Sequence, residues 1–281
     1  MQVFKKITPL RAKIKKEKKF GQEIGFVPTM GYLHQGHLAL LEQARVENDI
    51  VVLSIFVNPT QFGPDEDLEE YPRDIERDLK LAEKAGCDLV FIPEADEIYS
   101  PQAATKVIVE DLTNKLCGAS RAGHFAGVCT IVTKLFNITL PNRAYFGQKD
   151  AQQVLVIKRL VKDLNFDLEI KTVDIVREAD GLAVSSRNKY LNSKERQAGL
   201  ILSNSLNLAE QLIKAGARDA EFVKEKIKEK IANQPLAEID YVEIVAQNSL
   251  KTVEKISGKI LIALAVYIGE TRLIDNLMME V

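Results

Sequence analysis

The sequence predicts an α/β protein with a Rossmann-like, doubly wound parallel sheet followed by a smaller C-terminal α+β domain. Three observations predict it. Apolar runs of strand length alternate with helix-period segments through the first two thirds of the chain, the order of a parallel sheet with helices on both faces. Within that series, residues 50–57 (IVVLSIFV) are apolar at nearly every position, as a strand covered on both faces must be. Beyond the loop at 177–188 the texture changes, with helices first and strands last. A chain of 281 residues also exceeds one typical domain of roughly 100–200 residues. Residues 1–176 are therefore expected to form one domain and residues 177–281 a second.

The elements follow in order. Residues 23–27 form a short strand that ends at Pro28. Residues 36–47 are helical, with Leu38, Leu41 and Ala44 on one side. The strand at 50–57 is bounded by Asn58 and Pro59. Pro72 can open the next helix at its first position, where a missing amide costs little. Ile75, Leu79 and Ala82 form the stripe of that helix, and Gly86 ends it. Residues 88–92 form a strand stopped by Pro93. After a long polar stretch come a helix at 125–140 ended by Pro141, a strand at 143–146, a helix at 151–164 and a strand at 168–176. Crossovers in such a sheet are right-handed, and ligands bind at the carboxyl ends of its strands. In the C-terminal part, Asn192 or Ser193 caps a helix reaching about Lys214 and closed by Gly216. Asp219 caps a second helix with Val223, Ile227 and Ile231 in register, stopped by Pro235. Strands are expected at 239–246, 259–268 and 271–278.

Composition narrows the function classes. Apolar residues make up 46% and charged residues 28%, so most of the chain can bury a core. The 38 basic and 40 acidic residues leave a net charge of −2, which favours neither nucleic acid nor a membrane surface as partner. The basic run Arg11, Lys13, Lys15, Lys16, Lys18 and Lys19 reads as a solvated helix face, and Asp65, Glu66 and Asp67 as a solvated acidic cluster. Three cysteines, Cys87, Cys117 and Cys129, form no CxxC pair, so a disulfide framework is not expected and a reducing, cytoplasmic setting is. The N-terminal residues lack the apolar core of a signal peptide. The longest apolar run, 260–268, falls far short of the ~20 residues of a membrane helix.

The chemistry concentrates where the first of these strands enters its helix, at PTMGYLHQGH, residues 28–37. Gly31 and Gly36 allow close approach of backbone to a ligand. The first amides of a helix have no internal partner and carry positive partial charge, which attracts phosphate. His34 and His37, three apart, share a helix face and can donate N–H groups to charge developing at a phosphorus. A capping turn is the competing reading, and so is a zinc site completed by His124. Neither GxxxxGK[ST] nor GxGxxG occurs.

The full string resembles the His-x-Gly-His signature of the nucleotidylyltransferases and class I aminoacyl-tRNA synthetases, and in its longer form the pantoate–β-alanine ligase family. Four later segments resemble that family in the same order, up to about Leu191. FVNPTQFGPDEDLEEYPR, residues 56–73, supplies the carboxamides of Asn58 and Gln61, groups suited to a hydroxy acid. LCGASRAGHFAGV, residues 116–128, matches an Arg-Pro-Gly-His-Phe loop in which Ala122 replaces the proline and removes a φ constraint. FGQKDAQQV, residues 146–154, brings Lys149, a cation for phosphate oxygens, and Asp150, a candidate helix cap; Ala151 stands where larger side chains are common. READGLAVSSRNKYL, residues 177–191, resembles the mobile phosphate loop of the synthetases, with Val184 where Met is frequent.

The resemblance implies a two-step ligase that uses ATP with magnesium, forms pantoyl adenylate, and passes the acyl group to β-alanine. It implies His37, His34 and Lys149 as catalytic. It implies ATP contacts from Met30, Gly31, Tyr32, Leu33, Gln35 and Gly36 beside the two histidines, and from Gly147, Gln148 and Asp150 beside Lys149. Val176, at the end of the first domain, and Val184, Ser185, Ser186 and Arg187 of the C-terminal domain, which would act as a lid, complete that set. Gln61, Gln153 and Asn58 would bind pantoate, Gln61 also β-alanine, and no protein metal ligand is implied. The family further implies a homodimer. A nucleotidyltransferase with a phosphorylated substrate and a nucleotide sensor without turnover are the alternatives.

Overall fold

The structure, a computed structural model, describes residues 1–64 and 66–281; Asp65 of the acidic cluster lies outside the described residues. The chain divides into two compact units, Met1–Asn114 with Gly118–Asp174, and Lys115–Cys117 with Ile175–Val281.

In the first unit the elements are β1 (Gln2–Phe4), α1 (Ile7–Lys19), β2 (Ile24–Thr29), α2 (Gln35–Glu47), β3 (Ile50–Ile55), α3 (Ile75–Lys84), β4 (Leu89–Phe91) and α4 (Ala95–Ile98). There follow α5 (Cys117–Ser120), whose first residue is grouped with the second unit, then α6 (His124–Thr139), β5 (Arg143–Gly147), α7 (Ala151–Asp163) and β6 (Glu169–Val173). The six strands make one sheet in the order β1-β4-β3-β2-β5-β6, every neighbouring pair parallel. From β2 onward the chain first builds outward through β3 and β4, then returns to place β5 and β6 on the other side of β2. The order therefore reverses between β2 and β5, and ligands of open α/β sheets bind beyond the carboxyl ends of the strands at such a point.

Both faces of the sheet are covered, as the unbroken apolar run of β3 requires. Val27, Leu53 and Val90 share one cluster with Leu41 and Ala44 of α2 and Ala82 of α3. Phe26, adjacent to Val27 and so on the opposite face, meets Phe136 of α6 edge-on at 6.3 Å. The basic run lies on α1, which buries Leu10 and Ile14 and exposes Lys15, Lys16, Lys18 and Lys19. Lysines in its last turn also complement the negative end of the helix dipole.

Three features differ from the sequence reading in instructive ways. β2 runs through Pro28 to Thr29. It pairs with β5 only at Gly25 and Phe26, so a residue with no amide to give sits where that ladder has already ended. Pro72 does not open α3; Asp74 does, its carboxylate accepting the Arg77 amide at 3.1 Å. Ile75 is 37% exposed, and the side chains α3 buries are Asp78 and Ala82.

The second unit holds α8 (Ser193–Gly199), α9 (Ile201–Lys214), α10 (Ala220–Ala232), β7 (Ala237–Ala246), β8 (Lys259–Ile268) and β9 (Thr271–Glu280). The strands form an antiparallel sheet, β7-β8-β9. Asn192 and Glu195 make a reciprocal capping box, Asn192 Oδ1 accepting the Glu195 amide at 3.0 Å and Glu195 Oε2 the Asn192 amide at 2.9 Å. The single helix expected to Lys214 divides after Gly199, the residue with the weakest helix propensity in the run. Asp219 caps α10 by accepting the Phe222 amide at 3.0 Å. Val223, Ile227 and Ile231 then pack with Leu206, Ala209 and Ile213 of α9 against alternate residues of β8, Ile260, Ile262, Leu264 and Val266.

Candidate active site

The carboxyl ends of β2 and β5 carry the two turns on which the sequence placed its chemistry. After β2, Thr29 Oγ1 donates to Ser54 O at 2.8 Å and accepts the Gly31 amide at 3.2 Å. Gly31 takes φ +87°, and a Cβ there would stand 2.9 Å from Ile55 Cγ2, so both conformation and space require glycine. Tyr32 follows at φ +52°, a left-handed conformation costly for a residue with a side chain. Asp78 of α3 holds this path in place. Its Oδ2 accepts the Tyr32 amide and its Oδ1 the Leu33 amide, each at 2.7 Å. Burial pushes the Asp78 carboxyl above its usual range, opposed by these two amides and by Arg77. Two short bonds to an anion offset the strain of the turn.

His34 is the N-cap residue of α2, and its amide donates to His37 Nδ1 at 3.3 Å. The capping reading of the histidines is thus part of the geometry. It also decides a tautomer: a ring whose Nδ1 accepts must carry its proton on Nε2, so His37 presents Nε2–H as its donor. The rings of His34 and His37 stack, centroids 3.9 Å apart and 23° from parallel. Gly36 leaves room for this, since a Cβ there would lie 3.0 Å from His34 Cε1. Burial, then the neighbouring Lys149 cation, lowers His34 to about 4, and burial, then His34 and Lys149, holds His37 well below 6.5. Both imidazoles are therefore neutral at neutral pH and act as N–H donors. His34 Nδ1 is buried with no hydrogen-bond partner among the described residues, a polar atom suited to a ligand.

Lys149 lies in the 3-10 turn Gln148–Asp150 between Gly147, the end of β5, and α7. Its field reaches both histidines, as Asp150's reaches His34, so His34, His37 and Lys149 form one group. Asp150 stands at the N-cap position of α7 but makes no side-chain cap bond, so the expected capping does not occur. Gln153 is half-buried on the first turn of α7.

Beside the histidine turn, Gln61 closes the 3-10 turn Pro59–Gln61, with Nε2 3.2 Å from the sulfur of Met30. Asn58 is 1% exposed, and its carboxamide is engaged at both ends. Nδ2 donates to Gln61 Oε1 at 3.1 Å and to Gly127 O at 3.3 Å, while Oδ1 accepts from Thr60 Oγ1 at 3.0 Å and Tyr99 OH at 2.7 Å. This geometry makes Asn58 a support for Gln61.

In the second unit Val176 and Val184 face each other across a short hairpin, the Val184 amide donating to Val176 O at 3.0 Å. Arg177 anchors it with a two-pronged ion pair to Asp275, at 2.7 and 2.9 Å, and Arg196 pairs with both Glu178 and Asp180. Ser185 then caps the 3-10 turn Ser186–Tyr190 by accepting the Arg187 amide at 3.3 Å. Ser185, Ser186 and Arg187, expected from the resemblance to form a phosphate loop, are thus carried on a braced base.

The sequence reading missed Asp78, Tyr99 and the partners of His124. His124 does not join a trio with His34 and His37: its Nδ1 contacts Gln61 O at 2.8 Å and its Nε2 contacts Arg121 at 3.1 Å. Among the described residues no group of three His, Cys, Asp or Glu side chains is placed to hold a metal ion. Glu66, read as solvated, is instead paired with Arg121.

All three histidines of the chain are held below 6.5, His124 also to about 4 by burial and Arg121. When the pH falls below 6.5 the unfolded chain takes up protons that the folded chain refuses until about 4. Stability is therefore full above neutrality and declines through that window, by at most ~1.4 kcal/mol per pH unit for each histidine. Asp78, raised above 3.8, acts in the opposite sense at the acid end. Urea midpoints should fall between pH 6.5 and 5; a flat profile would mean the imidazoles are not held neutral.

Comparison with known proteins shows the family of the chain. Residues 2–278 match the family model described as pantoate-beta-alanine ligase. A pantothenate synthetase from Acetivibrio thermocellus is 58% identical over 281 residues, covering 100% of both chains, and one from Moorella thermoacetica is 56% identical over 281 residues, covering 100% of this chain and 99% of its own. The crystal structure of pantothenate synthetase from Thermus thermophilus superposes with a TM-score of 0.94 at 45% identity, covering 99% of each chain. A pantoate-beta-alanine ligase from Francisella tularensis, complexed with beta-gamma ATP and beta-alanine, superposes with a TM-score of 0.80 at 35% identity, covering 99% of this chain and 97% of its own. No helix among the described residues is long and apolar enough to cross a membrane.

Proposed function

The chain belongs to the pantoate–β-alanine ligase family and is an enzyme of that activity; we propose that it works in two steps through pantoyl adenylate, with MgATP as co-substrate. In the first step a pantoate carboxylate oxygen bonds to the α-phosphorus, the bond to the β-phosphate oxygen breaks, and pyrophosphate leaves. In the second the unprotonated β-alanine amine attacks the acyl carbon, the acyl–oxygen bond breaks, and AMP leaves with pantothenate and a proton.

The observation that carries this reading is the convergence of neutral His34 and His37 with Lys149 at the reversal point of the sheet. A carboxylate approaching a triphosphate meets like charge. Two N–H donors and one ammonium offset that repulsion, and they do so most as charge builds on the phosphorus centre. The backbone from Met30 to His37 and from Gly147 to Asp150 lines the same end of the sheet for the nucleotide. Val176, Val184, Ser185, Ser186 and Arg187 are further candidates for the nucleotide, their hydroxyl and guanidinium groups suited to phosphate oxygens. Gln61 and Gln153 hold the hydroxyl and carboxylate groups of pantoate, Asn58 fixes Gln61, and Gln61 later meets β-alanine. Magnesium arrives on the phosphates of ATP and needs few protein ligands.

Two measurements test the scheme. Enzyme with MgATP and pantoate but no β-alanine should release one equivalent of pyrophosphate in a burst, and AMP and pantothenate should follow only on adding β-alanine. Pyrophosphate release that strictly requires β-alanine would overturn the adenylate. A homodimer in a cytoplasmic setting belongs to the same reading; light scattering at the 31.4 kDa mass of one chain would remove the dimer.

A further inference from the structure

We propose that Glu66, Arg121 and His124 are positioning residues for Gln61, a hydrogen-bonded chain that fixes the backbone of the Pro59–Gln61 turn and so sets where the Gln61 carboxamide meets pantoate. The proposal rests on the pantoate role of Gln61 given above. It concerns three side chains, two of them the Arg and His of the 116–128 segment, to which the reaction scheme assigns no part.

The direction of each bond follows from what the groups can do. A guanidinium only donates, so the 3.1 Å contact from Arg121 Nη1 makes His124 Nε2 the acceptor. The neutral ring must then carry its proton on Nδ1, and Nδ1–H donates to the Gln61 carbonyl at 2.8 Å. Glu66 closes the chain on its outer side by accepting two bonds from Arg121, at 2.9 Å from Nε and 2.5 Å from Nη2. The carboxylate fixes the guanidinium plane, the guanidinium selects the tautomer, and the tautomer selects the donor that reaches Gln61. The positive charge on the acceptor side of the ring also strengthens the N–H on its other side. His124 is 9% exposed and is held to about 4 by burial and Arg121, so the ring stays in this neutral state throughout the neutral range.

The turn that receives this bond is pressed against α6 at a second point. A Cβ on Gly127 would lie 2.3 Å from Thr60 O, so helix and turn touch backbone to backbone. Asn58 Nδ2 bonds Gly127 O there and also holds Gln61 Oε1. The side chain of Gln61 is thus gripped by Asn58 and its carbonyl by His124. Loss of the His124 bond leaves the carbonyl of a substrate-binding residue without its donor and frees the peptide that carries the carboxamide. A displacement of that carboxamide acts on pantoate and leaves the nucleotide contacts of the His34 turn in place.

Steady-state kinetics of the full-length enzyme test this with His124→Ala, His124→Asn, Arg121→Gln and Gln61→Ala. Asparagine places Nδ2 where the ring has Nδ1, so His124→Asn keeps the donor to Gln61 and loses only the contact with Arg121. We expect His124→Ala to raise the pantoate KM about tenfold with the ATP KM changed by less than about twofold, and His124→Asn to restore most of it. Arg121→Gln, whose carboxamide ends about where the Arg Nε stands and so cannot reach Nε2, should raise the pantoate KM in the same direction as His124→Ala but by a smaller factor. In a Gln61→Ala background, His124→Ala should add nothing further to the pantoate KM. Equal rises in both KM values, an asparagine no better than alanine, or independent effects in the double variant would overturn the chain. If Gln61→Ala alone leaves the pantoate KM unchanged, the assignment of Gln61 falls instead, and this proposal with it. Should His124→Ala fail to fold by circular dichroism, the asparagine and glutamine variants against Gln61→Ala decide.

Discussion

His37→Ala should slow formation of the acyl adenylate by roughly 10²–10³-fold while ATP still binds, the loss expected when one preorganised donor to a developing charge is removed. The size of the effect follows from the state of the ring. His37 is neutral, accepts the His34 amide on Nδ1, and therefore offers Nε2–H from a fixed position against the His34 ring. No reorganisation is needed at the moment of reaction. Alanine removes that donor and also the acceptor of the His34 amide, so the start of α2 loses one of its caps. Glutamine at this position carries an N–H donor at nearly the distance of Nε2 and should recover part of the rate; asparagine, one methylene shorter, should not. Quenched single turnovers with ATP and pantoate, counted as pyrophosphate, measure the step directly. A near-normal rate in His37→Ala would take His37 out of the catalytic group.

Asp78→Asn should be the most damaging change outside the substrate-contacting residues. The Asp78 side chain is fully buried and spends one oxygen on each of two successive amides, Tyr32 and Leu33. A carboxamide has one oxygen and one NH2, so one of these amides would face another donor. Leaving a buried amide without an anionic acceptor costs ~1.5–3 kcal/mol. The strain at Tyr32 would then be relieved by moving the turn, and His34 and His37 would move with it. We expect a lower melting temperature and at least a tenfold fall in adenylation, with a raised ATP KM. An Asp78→Asn enzyme that melts and turns over like wild type would show that the turn needs no anchor. The same change also removes a carboxyl raised by burial, so the acid end of the stability profile should steepen.

These two residues illustrate what was legible in the chain. His37 stands in a local string whose strand, turn and helix are consecutive, so its place at the start of a helix is legible within ten residues, while its catalytic role rests on the family resemblance. The same holds for Asp219 and Asn192, whose caps depend on amides two or three positions away. The parallel sheet was legible because its buried strands leave continuous apolar runs, and the C-terminal unit because its helices repeat aliphatic residues at helical spacing. Asp78 was not legible. It lies 45 residues from the Leu33 amide it accepts, in a helix whose stripe reads as Ile75, Leu79 and Ala82. Apolar periodicity has no sign for a carboxylate that belongs inside.

The sequence by itself determined the α/β architecture, the order of its motifs and the residue types at the two strand-end turns, since each depends on neighbours in the chain. Tertiary structure alone decided the reversal of strand order that joins the His34 turn to Lys149, and the anchoring of that turn by Asp78. It also decided the neutral state of the histidines, the proton positions of His37 and His124, and the engagement of Asn58 with Gln61. These depend on burial and on partners tens of residues away, and the field at an imidazole is a sum over space that no local pattern of residues records.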